Sequence, residues 1–159
     1  MNDHTPALIP AEALARFSGL ELLRGMLAGE VPPPPISATM NFTLTEANEG
    51  AVVFEGEPQA AHLNPLGVIH GGWHATLLDS VMACAVHSTL KPGTAYTTVE
   101  FKVNFVRAVT PGSGRLRAEG RVISRGARIA TSEGRLLDAE GRLIAHGTET
   151  CLIFPLKGA

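Results

Sequence analysis

The stretch Gly72-Trp73-His74-Ala75-Thr76-Leu77-Leu78-Asp79-Ser80-Val81-Met82-Ala83-Cys84-Ala85-Val86-His87 constrains this chain more than any other. It is too long for one strand and apolar on nearly every side, and a helix that is apolar all round has to be buried. Everything else must cover it. The covering elements follow a period of two. Met40, Phe42 and Leu44 alternate with Thr39, Asn41 and Thr43, and Val52 and Phe54 follow the turn residues 48–50. Val99, Phe101, Val103 and Phe105 alternate with Thr98, Glu100, Lys102 and Asn104, the pattern of a half-buried strand. Leu116, Ala118 and Val122 form a fourth run, and strands near residues 127–137 and 143–154 flank the turn Asp138-Ala139-Glu140-Gly141. Short connections favour antiparallel pairing. The expected class is α+β, a curved antiparallel sheet of about six strands wrapped around one long helix. Small residues at Ala130, Ser132, Gly134, Ala145 and Gly147 would let the sheet approach that helix closely.

Ahead of this unit, Leu14, Phe17, Leu20, Leu23 and Leu27 recur at spacings of three and four, which predicts one extra N-terminal helix over residues 11–28, stopped by Gly29. The run Pro32-Pro33-Pro34-Pro35 predicts an extended connector. Residues 1–37 therefore read as an appended arm and residues 38–159 as the compact domain.

Thirteen Lys and Arg against fifteen Asp and Glu leave no basic excess for nucleic acid or an anionic membrane. Cys84 and Cys151 have no framework spacing and read as buried thiols. Residues 1–10 lack a basic start or an apolar run of signal-peptide length, and no window reaches the roughly 18 to 20 apolar residues of a membrane span. A cytoplasmic location is expected.

Asp79 is the only acidic residue between Gly71 and Leu90, in the middle of the apolar helix. A carboxylate there must find partners or hold its proton more tightly, which points to a task. The alternative is an aspartate on the helix surface that caps a loop or meets an arginine. His70-Gly71-Gly72 opens the helix, where backbone N–H groups and the helix dipole suit an anion, including the oxyanion of a carbonyl under attack; a plain glycine turn is the alternative. Asn64-Pro65 is a turn pair whose amide could also orient water or a carbonyl. His70 and His74 are four apart, with His62 nearby, but Gly71 stands where a zinc-binding H-E-x-x-H helix has its glutamate, so no metal is expected.

The segment from Asn64 through His70-Gly71-Gly72 to Leu77-Leu78-Asp79 resembles the signature of the phenylacetate-pathway (PaaI-like) branch of hotdog-fold acyl-CoA thioesterases. The resemblance continues through Thr97-Thr98-Val99-Glu100-Phe101-Lys102-Val103-Asn104-Phe105-Val106-Arg107 and the turn Arg125-Gly126-Ala127-Arg128, and so covers most of the chain after the proline run. It implies a hotdog fold, subunits paired into one continuous sheet as a dimer or a dimer of dimers, and active sites between subunits. It implies hydrolysis of an acyl-CoA, with coenzyme A as part of the substrate and no separate cofactor. By matching position, Asp79 is implied as nucleophile or general base, Asn64 and His70 as holders of the water or thioester carbonyl, and Gly71 as oxyanion donor beside Gly72. Thr98 matches a hydroxyl near the attacking water, although a shift of register would put Thr97 there. Arg125 and Arg128, flanking Gly126, are candidates for the coenzyme A phosphates, against the ordinary reading of solvated turn arginines. Ala108 stands where many relatives have proline. A hydratase of the same fold would place its histidine after the aspartate, whereas His70 precedes Asp79; a non-catalytic acyl-CoA binder would not need the helical carboxylate.

Overall fold

The computed structural model describes residues 5–156. Residues 1–4, on which part of the N-terminal reading falls, and 157–159 lie outside the described residues. Three short helices come first: α1 (Ala11–Arg16), α2 (Gly19–Ala28) and α3 (Pro35–Met40). Strands β1 (Phe42–Asn48) and β2 (Ala51–Gly56) form a hairpin, and the long helix α4 (Gly71–His87) precedes β3 (Thr94–Phe105), β4 (Leu116–Arg125), β5 (Ile129–Leu137) and β6 (Leu143–Pro155). The six strands form one antiparallel sheet in the order β1-β2-β4-β5-β6-β3, with β1 and β3 at its edges.

The sheet curls around α4, which packs against every strand from β2 to β6. Leu77, Leu78, Val81, Met82, Ala85 and Val86 are fully buried there, as a helix apolar on all sides requires. The sheet comes close because its inward positions are small. A Cβ at Gly134 would lie 2.8 Å from Met82 Cγ, and one at Gly120 would collide with the Val81 carbonyl oxygen. Gly120 thus meets the helix backbone itself, one strand beyond the small residues expected to do so.

Three local expectations are corrected. The helix expected over residues 11–28 is two helices. Phe17 is extended, and Ser18 starts α2 with a capping box in which its Oγ accepts from Glu21 N–H while its own N–H donates to the Glu21 carboxylate at 2.8 Å. The buried face runs through Leu22 and Leu23, leaving Phe17 and Leu27 exposed. Gly29, left-handed at φ 76, ends the helix as expected. The proline run is not extended throughout, because Pro35 occupies the first turn of α3, where a missing N–H costs nothing. Met40 consequently belongs to α3, and left-handed Asn41 turns the chain into β1. The third correction concerns β3, expected to be half-buried. Val99, Phe101 and Phe105 are 55%, 40% and 57% exposed, because β3 is an edge strand with no strand beyond it among the described residues. Its pairing with β6 also shifts register between Thr98 and Glu100, a bulge that breaks the alternation. Among the described residues no helix is long and apolar enough to cross a membrane.

Candidate active site

Asp79 projects from the middle of α4 toward the β3–β6 side of the sheet and is half-buried. Burial raises its pKa, and a hydrogen bond from Thr98 partly opposes that rise. Thr98 Oγ1 lies 3.4 Å from Asp79 Oδ1, whereas Thr97 is exposed. The bulge at Thr98 lies where β3 passes Asp79. Bulges re-aim side chains in this way.

At the start of α4, His70 is the N-cap, and its Nδ1 accepts from Gly72 N–H at 2.8 Å. A neutral imidazole held so carries its proton on Nε2. Of the two glycine amides, Gly72 N–H is occupied by the cap, and Gly71 N–H donates to no acceptor among the described residues. A Cβ at Gly71 would stand 3.2 Å from the Phe105 ring. The anion-binding capacity expected of both glycines therefore rests on Gly71 alone. Asn64 is half-buried, and its Oδ1 accepts from Leu66 N–H at 2.9 Å and Val68 N–H at 3.3 Å. The turn use of this residue is thus real, and it fixes the amide so that Nδ2 is the free end. A short bridge between Leu63 and Ile69 closes the loop that carries it.

The two halves of this constellation are far apart within one chain. Eight residues separate Gly71 from Asp79, and at about 1.5 Å of rise each the helix puts roughly 12 Å between them along its axis. A single reacting carbonyl needs both its attacking group and its oxyanion donor within about 3 Å.

The histidines do not converge. His62 Nδ1 accepts from Gln59 N–H, and its Nε2 lies 3.0 Å from Thr39 O. The His74 ring is buried against Trp73 and Phe105 with neither nitrogen paired among the described residues, and burial pushes its pKa down to about 4. Arg125, Gly126 and Arg128 are exposed, and the two arginines line an open groove of about 440 Å³ with Thr94 and Phe154.

One residue beside Asp79 escaped the sequence reading. Glu149 of β6 is 1% exposed, and its Oε1 lies 2.8 Å from Thr98 Oγ1 and 3.0 Å from Cys151 Sγ. A signal for it existed. Gly147, Cys151 and Ile153 occupy the inward register of β6, and by period two Glu149 shares it. Cys151 is buried and Cys84 half-buried. Burial, with the Glu149 and Asp79 carboxyls adding to it, pushes the Cys84 thiol up to about 12. That leaves it inert at neutral pH.

Comparison with known proteins agrees with this fold. The sequence model of the Thioesterase superfamily matches residues 66–145. Human acyl-coenzyme A thioesterase 13 is 30% identical over 110 residues, covering 69% of this chain and 77% of its own. A phenylacetic acid degradation-related protein of Ralstonia eutropha superposes with a TM-score of 0.75 at 30% identity, covering 82% of this chain and 98% of its own. A variant of the phenylacetic acid degradation protein PaaI from Thermus thermophilus gives 0.67 at 26% identity, with 74% and 97% covered.

Proposed function

The chain belongs to the thioesterase superfamily as a hotdog-fold acyl-CoA thioesterase, and from that premise we propose that Asp79 drives hydrolysis of aryl-, arylacetyl- or medium-chain acyl-CoA to the free acid and coenzyme A. One observation carries the assignment of Asp79. It is a half-buried carboxyl on an otherwise apolar helix, made more basic by burial and in contact with a hydroxyl from the neighbouring strand.

In this mechanism the thioester carbonyl lies with its oxygen toward Gly71 N–H, which receives negative charge as the tetrahedral intermediate forms. The N-terminal end of the α4 dipole adds to that stabilisation. Asp79 takes a proton from water as the water attacks, or attacks the carbonyl itself to give a mixed anhydride that water then opens. Collapse of the intermediate breaks the C–S bond, and the thiolate of coenzyme A leaves and takes up a proton. His70 Nε2 and the Asn64 amide are donors for the water or the carbonyl. Arg125 and Arg128 would meet the coenzyme A phosphates beside Gly126, supported by their exposure along one open groove. Single turnover in ¹⁸O water separates the two routes. Direct water attack labels the first acid released, whereas attack by Asp79, with water then opening the anhydride at the Asp79 carbonyl, sends an unlabelled Asp79 oxygen out with the first acid and leaves the label on Asp79.

The separation of Gly71 from Asp79 along α4 supports a site built from two chains, with Asn64, His70 and Gly71 of one subunit facing Asp79 of another. The exposed apolar edge of β3 supports a homo-oligomer paired through it, since a long unpaired edge of this kind invites another strand.

The test is a panel of acyl-CoA thioesters, assayed for free thiol with the native protein and Asp79→Asn. The similarity to phenylacetic acid degradation proteins is a reason to include arylacetyl thioesters. Asp79→Asn should keep its circular dichroism spectrum and lose turnover by about 10² to 10⁴, the scale of a missing acid-base group or nucleophile. Near-native turnover in a folded Asp79→Asn protein would remove Asp79 from the mechanism. Binding without thiol release by the native protein would mean a non-catalytic acyl-CoA binder, and addition of water across a double bond would mean a hydratase.

A further inference from the structure

Thr98 stands between two carboxyl groups and has one proton to give. Its Oγ1 is 2.8 Å from Glu149 Oε1 and 3.4 Å from Asp79 Oδ1. Two carboxylates at these distances would compete for that hydroxyl, and the nearer would win. Glu149 is moreover almost wholly enclosed, at 1% exposure, and its second oxygen, Oε2, has no hydrogen-bond partner among the described residues. A charged oxygen left bare in such a place is costly, and a neutral carbonyl oxygen far less so. No arginine or lysine forms an ion pair with Glu149 among the described residues.

We infer that Glu149 is a positioning residue for Asp79: as a neutral carboxylic acid it donates through Oε1 to Thr98 Oγ1, and so turns the Thr98 hydroxyl onto Asp79. The inference rests on the proposed role of Asp79. The chain then runs in one direction, from the Glu149 O–H to Thr98 and from the Thr98 O–H to Asp79, with the Cys151 S–H free to donate to Oε1. Asp79 remains the single anion of the site, held in place by the hydroxyl. When Glu149 loses its proton to solvent, the one remaining proton of the bridge is drawn back to it. A lone pair of Thr98 then faces Asp79, and two like charges share an enclosed space.

The titratable groups around Glu149 fit this reading. Asp79 and Cys84 face the cluster from α4, Tyr96 and Glu100 come from β3, and Cys151 stands two residues away on β6. Burial pushes Glu149 up to about 7, hydrogen bonds from Cys151 and Thr98 draw it down, and the Asp79 and Glu100 charges push it up. The switch therefore falls near neutrality, and the active form lies on its acid side.

The experiment is the pH dependence of kcat for the native protein, Glu149→Gln, Thr98→Val and Asp79→Asn on one acyl-CoA. Native kcat should fall above about pH 7. Glutamine keeps a donor and cannot ionise, so Glu149→Gln should match native turnover on the acid side and lose the alkaline fall, exceeding native kcat by about tenfold at pH 8, one pH unit past the transition. Thr98→Val should be slower throughout, and its alkaline fall should shrink to what the like charges of Glu149 and Asp79 alone produce, because the bridge is gone; this arm stands if Glu149→Gln does not fold. An alkaline limb that persists unchanged in either folded variant would overturn the inference while Asp79→Asn, inactive, leaves the role of Asp79 intact. Activity in Asp79→Asn would remove both.

Discussion

Asp79 and Glu149 are both carboxyls raised by burial, and their surroundings assign them opposite states. Asp79 is half-buried and receives the Thr98 hydroxyl, whereas Glu149 is enclosed, with a bare Oε2 and a thiol as its other donor. The difference has a consequence for stability. Below about pH 4.5 folded and unfolded chains both hold the Glu149 proton. Between there and about 7 the unfolded chain releases it while the folded chain keeps it, so stability falls as pH rises, by about 3 kcal/mol in all. Urea midpoints of native protein and Glu149→Gln should therefore diverge in favour of the variant from pH 4.5 to 7 and run parallel above. His74 and His87, pushed down to about 4 by burial, act in the reverse sense but equally in both proteins, and cancel in the difference. A constant difference across that window would mean that Glu149 ionises in the folded protein as it does in the unfolded one. Asp79 could be read from the sequence because it interrupts an apolar helix, where one charge stands out. Glu149 could not be picked out so easily, because Glu100 and Glu133 occur in the neighbouring strands and Glu119 in the next one, and only the β6 register separates an inward acid from outward ones.

At the scale of elements, the long helix and the strands around it were legible because their periods differ, and α4 was displaced by a single residue at its start. What escaped was set by contacts between elements. The break at Ser18 depends on a reciprocal cap with Glu21, and the exposure of β3 depends on strand order, which no single strand encodes. Gly120 is the sharpest instance. A glycine among alternating residues reads as a weak strand position, yet it is where β4 touches the α4 backbone at Val81. Gly120→Ala should force strand and helix apart and cost about 1 to 3 kcal/mol, the usual range for overpacking, seen as a lower melting temperature by several degrees. An unchanged melting temperature would show that the sheet can move away from α4 without loss. The displacement also bears on function, because Asp79 and Val81 share α4 and the Thr98 bridge is only as good as the fit of helix to sheet.

The whole molecule decides whether the site is complete. One chain brings Asp79, Thr98 and Glu149 together at mid-helix and leaves Gly71 N–H without an acceptor among the described residues roughly 12 Å away at the helix start, so the proposed site calls for a second chain's Gly71 at the first chain's Asp79. Subunit mixing tests this directly. Asp79→Asn and Asn64→Ala should each be severely impaired as homo-oligomers. Mixed under conditions that exchange subunits, a site shared between chains gives each heterodimer one site with both defects and one with neither, since two-fold pairing makes the two sites equivalent beforehand. With random equal mixing about half of the dimers are mixed and half of their sites intact, so activity should return to about a quarter of native. If Asp79 and Asn64 of the same chain serve one site, every site in a heterodimer carries a defect and no activity returns. Absence of recovery, with exchange verified by mass-labelled chains, would confine the active site to one subunit and would require α4 to bend or the substrate to shift before Gly71 could serve as oxyanion donor to the carbonyl on which Asp79 is proposed to act.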